Sequence, residues 1–154
     1  MGLADHTRQL VDYNEWANKR ILDAAAKLSG EHYAQIAETL THLLGTQRYW
    51  YDNWTHEDRE EIAPPTIDAM RAAYDASHAE MRAYFAALTD DDWQRAEPWW
   101  KRWGYDVTLP LGETLFQVVN HSTQHRSEIA VVASRHDASP GDLDYLVFKR
   151  GQLA

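Results

Sequence analysis

The sequence predicts an all-α protein whose four long helices form a bundle. Three observations lead to this prediction. Four segments carry apolar residues at the i, i+3 and i+4 spacing of amphipathic helices. One long polar connection joins the second segment to the third, which makes a bundle the simplest architecture. The length of 154 residues is enough to bury a hydrophobic core, so we expect residues 1–154 to form a single domain.

The first two helices are predicted from their apolar stripes. Apolar residues recur from Leu10 to Leu28, and Ser29–Gly30 is expected to end this helix because glycine readily adopts the left-handed conformation. The second helix is predicted over residues 35–54, where leucine and tryptophan share one face. Gly45 lies inside it at a cost of about 1 kcal/mol relative to alanine, which indicates close packing or room for something nearby.

The third helix is predicted after a long connection. Residues 56–65 are polar and acidic and end in Pro64–Pro65, which disfavours helix in the preceding residue. Thr66 is a suitable N-cap for the helix that follows. Apolar residues then recur with helical spacing from Ile67 to Leu88, so we expect a crossover followed by the third helix.

The last third of the chain contains the least regular segment and the longest helix. Residues 89–109 break the helical pattern, and Gly104 between aromatic flanks is expected to turn a small hairpin before the fourth helix. The fourth helix is predicted over Leu111–Arg135. A loop over residues 136–141 and a short closing helix over residues 143–148 complete the prediction.

Composition and charge exclude several classes of function. The chain has 15 Lys and Arg against 24 Asp and Glu, a net charge of −9, so we expect neither nucleic acid nor an anionic membrane as a partner. It has no cysteine, which excludes disulfides, thiolate metal ligands and a cysteine nucleophile. Residues 1–13 lack the apolar core of a signal peptide, and no stretch approaches the ~18 apolar residues of a membrane span. We therefore expect a soluble, cytoplasmic protein.

Two histidines one turn apart on the fourth helix are candidate metal ligands. His121 and His125 share a helix face, and neutral imidazole suits zinc, nickel, copper or iron, although chance pairs are common in a chain with eight histidines. His125 falls on the apolar stripe and His121 at its edge, so both are expected to point into the bundle, where an unpaired imidazole costs about 1–3 kcal/mol. His42, beside the stripe of the second helix, offers a third ligand. We therefore predict one divalent metal ion on these three histidines.

Several short motifs occur in a specific order along nearly the whole chain. They are Leu40-Thr-His42-Leu-Leu-Gly45-Thr-Gln-Arg-Tyr-Trp50, Pro110-Leu-Gly-Glu-Thr-Leu and Val119-Asn-His121-Ser-Thr-Gln-His125-Arg126, with Tyr13-Asn-Glu-Trp-Ala-Asn18 and Asp142-Leu-Asp-Tyr145 near the two ends. Together they resemble the DinB/YfiT-like family of metal-binding four-helix proteins.

The resemblance implies more than the helical pattern does. It implies an up-down-down-up bundle, often homodimeric, in which one histidine of the second helix and two of the fourth hold a metal ion and leave coordination positions open. In this sequence they correspond to His42, His121 and His125. Where an activity of such relatives is known, it is commonly transfer of a low-molecular-weight thiol, or a related isomerisation or hydrolysis, at the metal.

The sequence departs from the family pattern after the last of these histidines. Relatives commonly continue His-Arg-Gly-Gln, whereas this chain has His125-Arg126-Ser127-Glu128. Glu128 lies one turn beyond His125 and is a candidate acceptor for an imidazole N–H, a general base, or a fourth ligand. It is equally an exposed carboxylate without a catalytic role.

Two hypotheses about function follow. The first is an enzyme that depends on a divalent metal, zinc or nickel first, and activates an external low-molecular-weight thiol or water against a small-molecule substrate. The second is a non-catalytic metal- or ligand-binding bundle whose ion stabilises the fold, although a structural zinc usually has four protein ligands.

The other histidines and the aromatic cluster are assigned ordinary roles. Four histidines near the chain ends or in loops are expected in solvent, namely His6, His32, His56 and His136. His78 is expected as a hydrogen-bonded core residue. The cluster from Trp93 to Tyr105 is expected to pack in the core, and it would also suit an organic substrate beside an open metal site.

Overall fold

Four long helices form the bundle that the sequence predicts, and the all-α class is confirmed. The computed structural model describes residues 3–98 and 107–153. In this part of the chain the elements are α1 (Leu3–Ala25), α2 (Gly30–Thr55), α3 (Ile67–Ala86), α4 (Asp90–Gln94), β1 (Ala96–Glu97), β2 (Leu109–Pro110), α5 (Leu111–Arg135) and α6 (Tyr145–Leu153). Over the same residues, no helix combines the length and apolar character needed to cross a membrane.

Contacts between the long helices give their directions. Both α1 and α2 pack against α3 and α5, so α1 and α2 occupy opposite corners of the bundle. Arg71 at the start of α3 pairs with Asp23 near the end of α1, whereas the Tyr84 hydroxyl near the end of α3 donates to the carbonyl of Trp54 at the end of α2. Trp54 in turn donates from Nε1 to Oγ1 of Thr114 at the start of α5, at 2.9 Å. The order is therefore up-down-down-up.

The crossover exists because α2 and α3 are parallel, so the chain must return along the bundle before α3 begins. Arg59 in this crossover donates to both carboxylate oxygens of Glu80 in α3, at 2.9 and 3.0 Å. Ile62 packs against the apolar core. Thr66 caps α3 by accepting the backbone N–H of Ala69, as predicted.

The predicted ends of three helices are wrong. The first helix ends at Ala25 rather than near Ser29–Gly30, and Leu28 turns into the core between α1 and α2. Gly30 has φ +54°, the left-handed conformation expected of it, but it opens α2 instead of ending α1. The closing helix begins at Tyr145 because Asp144 accepts the backbone N–H of Leu146 at 2.7 Å, and it continues to Leu153.

The segment before α5 holds a helix that the sequence pattern did not reveal. Thr89 and Asp92 form a capping box at the start of α4, which places Trp93 in the core with its ring stacked on Phe85. The strands β1 and β2 pair antiparallel, with Ala96 opposite Pro110, where a small hairpin was predicted. Its predicted turn at Gly104 and the aromatic residues Trp99, Trp100, Trp103 and Tyr105 lie outside the described residues.

A layer of polar side chains divides the apolar core into two clusters. One cluster surrounds Trp50 and Trp54, and the other surrounds Leu40 and Tyr74. Buried polar residues from all four long helices lie between them: Asn14 and Asn18 of α1, Gln47 of α2, Ser77 and His78 of α3, and Arg126 of α5.

The guanidinium of Arg126 sets the direction of every hydrogen bond in this layer. Its Nη1 donates to Oδ1 of Asn14 at 2.7 Å and of Asn18 at 2.9 Å. Because arginine has only donors, both amides must turn their Nδ2 groups away from it. These donate to Oε1 of Gln47 at 3.0 and 3.3 Å, and Nδ2 of Asn18 also lies 3.2 Å from Nε2 of His78. His78 must therefore accept at Nε2 and remain neutral.

Burial is the main reason that His78 titrates abnormally. Together with the charges of Lys19 and Arg126, it lowers the pKa of His78 to about 3. The unfolded chain, with an ordinary histidine pKa near 6.5, binds one more proton than the folded protein between these two values. Stability is therefore lost as the pH falls below about 6.5.

The substitution His78→Gln tests this linkage. Glutamine keeps an acceptor for Asn18 but does not titrate, so the variant should lose stability less steeply on acidification. The difference in slope of the unfolding free energy should approach about 1.4 kcal/mol per pH unit between pH 6 and 4, measured by urea denaturation. The exposed His6→Gln serves as control. Parallel curves for wild type and His78→Gln would contradict the neutral, accepting His78.

Candidate metal centre

Antiparallel packing of α2 and α5 brings three histidines together. One imidazole nitrogen from each of His42, His121 and His125 can be chosen so that all three lie within 4.8 Å of one another. Nε2 of His42 is 3.2 Å from Nε2 of His121. The ring centroids are 4.4–5.3 Å apart. His121 and His125 are neighbours because they lie one turn apart on α5.

The histidines flank the core instead of pointing into it. The buried face of α5 carries Ser122 and Arg126, while His121 and His125 are half-buried and His42 is exposed. The prediction that the histidine pair points into the bundle interior is therefore wrong. The centre of the helix face falls one residue later than the apolar stripe indicated, because the polar layer takes Arg126 inward. The three imidazoles remain accessible from solvent.

The electrostatic environment keeps two of the imidazoles in the form that binds metals. Partial burial lowers the pKa of His42 and of His121, and the charge of nearby His125 lowers both further. A lowered pKa favours the neutral ring, which has one unprotonated nitrogen, and only an unprotonated nitrogen can be a ligand.

The separation of the His42 and His121 nitrogens fits a shared ion. Two nitrogen ligands of a tetrahedral zinc ion, with bonds of about 2.0–2.1 Å, are separated by roughly 3.3 Å. The 3.2 Å between His42 and His121 matches this distance. Gly45 lies one turn after His42, and a Cβ atom there would meet no atom within 4 Å. Of the two readings of this glycine, open space is the one that the structure supports.

The model of the DinB family matches residues 3–152. The chain belongs to the DinB family. No curated protein matches it.

In this DinB-family protein Glu128 is the hydrogen-bond partner of an imidazole, which is one of the roles considered for it. Its Oε2 lies 2.8 Å from Nδ1 of His125, and this hydrogen bond is the main cause of the lowered pKa of the Glu128 carboxyl group. The bond occupies Nδ1 and leaves Nε2 of His125 available to coordinate a metal ion. Glu128 is not among the groups gathered at the cluster, where the described residues contribute three histidines.

The other histidines divide between the core and the surface. His78 is buried and hydrogen-bonded, as expected. His6 and His56 are exposed, and Nε2 of His56 lies 3.5 Å from Glu97. His136 is half-buried and its ring stacks on that of exposed His32, with centroids 3.6 Å apart. This contact joins the start of α2 to the end of α5, so local sequence patterns carry no signal for it.

The tautomer of His125 tests the bond to Glu128. In metal-free protein the neutral imidazole should carry its proton on Nδ1, because the carboxylate accepts from that nitrogen. Nitrogen-15 NMR of the ring distinguishes the two tautomers. Glu128→Ala should release the preference, and Glu31→Ala, another exposed glutamate, should not. A ring that carries its proton on Nε2 in the wild type would contradict the observed geometry.

Proposed function

We propose that His42, His121 and His125 bind one divalent metal ion, with zinc or nickel as the first candidates. We further propose that this DinB-family protein is a metal-dependent enzyme. It would activate a low-molecular-weight thiol or water for transfer or hydrolysis on a small molecule. The observation that carries the proposal is the convergence of three imidazole nitrogens within 4.8 Å.

The donor set supports zinc or nickel over a hard cation such as magnesium. Imidazole nitrogen suits zinc, copper, iron and nickel, whereas magnesium prefers carboxylate and water oxygens. A divalent ion held by three neutral ligands keeps its full charge, and that charge favours ionisation of a coordinated water or thiol. Because the chain has no cysteine, a thiol must come from outside the protein.

Residues of the chain supply orientation and access in this proposal. Glu128 holds the His125 ring by its Nδ1, which leaves Nε2 available to the metal ion. Arg126, one residue later, anchors α5 to Asn14 and Asn18 of α1 and so fixes the rotation of the helix that carries two of the ligands. The partial exposure of all three histidines leaves a path for a substrate.

The competing hypothesis of a purely structural ion needs a fourth protein ligand. Glu128 was the candidate, but its carboxylate is bonded to His125 and lies outside the group of clustered ligand atoms. Three ligands with an open position are typical of catalytic zinc, and four are typical of structural zinc. This difference favours the enzyme.

The family resemblance supports a homodimer, and the net charge of −9 supports a small molecule instead of nucleic acid as the ligand. The absence of cysteine is consistent with a cytoplasmic location.

Metal content is the first test of the site. Tag-free protein should contain about one equivalent of zinc or nickel by elemental analysis, since three preorganised imidazoles suffice for tight binding. His42→Ala and His125→Ala should each lose most of it. His32→Ala, which removes an exposed imidazole elsewhere on α2, is the matched control. Wild type that takes up no zinc, nickel or manganese even after loading would overturn the proposal.

Turnover is the test of the reaction class. Metal-loaded protein should react glutathione, mycothiol or bacillithiol with small electrophiles, or hydrolyse members of an ester and amide panel, and His42→Ala should abolish this activity. Glu128→Ala should lower metal affinity or activity by about 10–100-fold, because the His125 ring loses its orienting acceptor. Glu31→Ala is the control. Failure of every thiol and every hydrolytic substrate with fully loaded protein would favour the non-catalytic alternative.

A further inference from the structure

A cavity of about 800 Å³ opens beside the first turns of α1 and α5. This volume lies in the range of roughly 300–1,000 Å³ typical of sites for small organic molecules. Most of its described wall is apolar or aromatic, from Leu10, Trp50, Trp93, Val107, Leu109 and Phe116. Phe116 is 63% exposed, which is unusual for a phenylalanine in a helix of a bundle.

The cavity lies next to the candidate metal centre without containing it. Glu113 and Gln117 of α5 line the cavity, and none of the three clustered histidines is among its described lining residues. Glu113 and Gln117 are four residues apart on α5, and His121 and His125 follow at the same interval. One such step is about 6 Å along a helix axis, so the lining residue Gln117 is about one turn from His121.

The charges of the described wall favour ligands without a negative charge. Glu113 contributes a carboxylate, His6 contributes an imidazole, and the described lining includes no lysine or arginine. Aromatic faces attract cations and stack with neutral rings, and a carboxylate repels anions. Gln117 adds a group that can donate and accept hydrogen bonds.

We propose that this cavity binds a small aromatic molecule that is neutral or positively charged, and presents it one helical turn from His121, the first of the three histidines on the path along α5. The claim that the enzyme transforms the bound molecule rests on the function proposed above. The claim that the molecule binds does not rest on it, because the cavity wall requires no metal ion.

Three probes of equal size test the proposal: benzyl alcohol, benzylamine and benzoate. Titrations at pH 7 followed by NMR should show saturable binding of the neutral and cationic probes, with benzoate weaker by about tenfold. Glu113→Gln should weaken benzylamine and leave benzyl alcohol unchanged. Phe116→Ala should weaken both by about fivefold or more, since it removes an aromatic wall. Val131→Ala, at another exposed apolar position of α5, is the matched control.

The same titrations on His121→Ala separate this inference from the proposed function. Binding that persists in this variant supports the cavity whether or not the wild type proves to hold a metal ion. The proposal is overturned if no probe saturates, if benzoate binds most tightly, or if Phe116→Ala binds like the wild type. It is also overturned if the wild type binds none of the probes and sedimentation shows that it is a dimer that Phe116→Ala splits. The face around Phe116 would then join two copies of the chain.

Discussion

The buried guanidinium of Arg126 is the constraint on which the rest of the structure depends. A charge in the core of a bundle costs several kcal/mol unless it is hydrogen-bonded, and here two amides of α1 and a hydroxyl of α5 accept hydrogen bonds from it. The same amides donate to Gln47 and His78, so the hydrogen bonds that begin at one cation link all four long helices. The layer therefore specifies one relative arrangement of the helices, which an all-apolar core would leave less sharply defined.

This constraint also explains where the candidate metal centre lies. Because Arg126 points to α1, His125 one residue earlier is rotated toward α2, and His121 follows it one turn away. His42 completes the cluster from the facing helix α2. The three imidazoles thus lie at the edge of the bundle. There the core holds the helices rigid, and solvent can still reach the nitrogens. Adjacent residues of α5 thus differ in burial: Arg126 lies in the core and His125 is accessible from solvent.

Much of the fold could be predicted because it depends on local patterns. The apolar period fixed four helices, and Thr66 and the two prolines before it marked the crossover. Helix ends were harder, since Leu28 and Asp144 act through the core and through a side-chain cap. The capping box of Thr89 and Asp92 was readable in principle, but residues 89–109 as a whole break the helical pattern. Arg126 inside the core was not predictable, because arginine is rarely buried and its partners lie more than a hundred residues away.

The residues of the candidate site were predicted correctly as neighbours, but their depth in the bundle was not. The i, i+4 spacing of His121 and His125 is a local property, and His42 could be added from a facing helix. Their exposure depends on the helix rotation set by Arg126, so the apolar stripe alone placed them too deep. The cavity beside α5 joins residues of α1, α2, α4 and α5, and no local motif signals it.

Anomalous diffraction from crystals of the zinc-loaded protein tests the central claim most directly. We expect one strong peak at the zinc edge, about 2.0–2.1 Å from Nε2 of His42, His121 and His125, with the Glu128 carboxylate still on Nδ1 of His125. A peak on other residues, or none in fully loaded crystals, would contradict a metal centre on these three histidines.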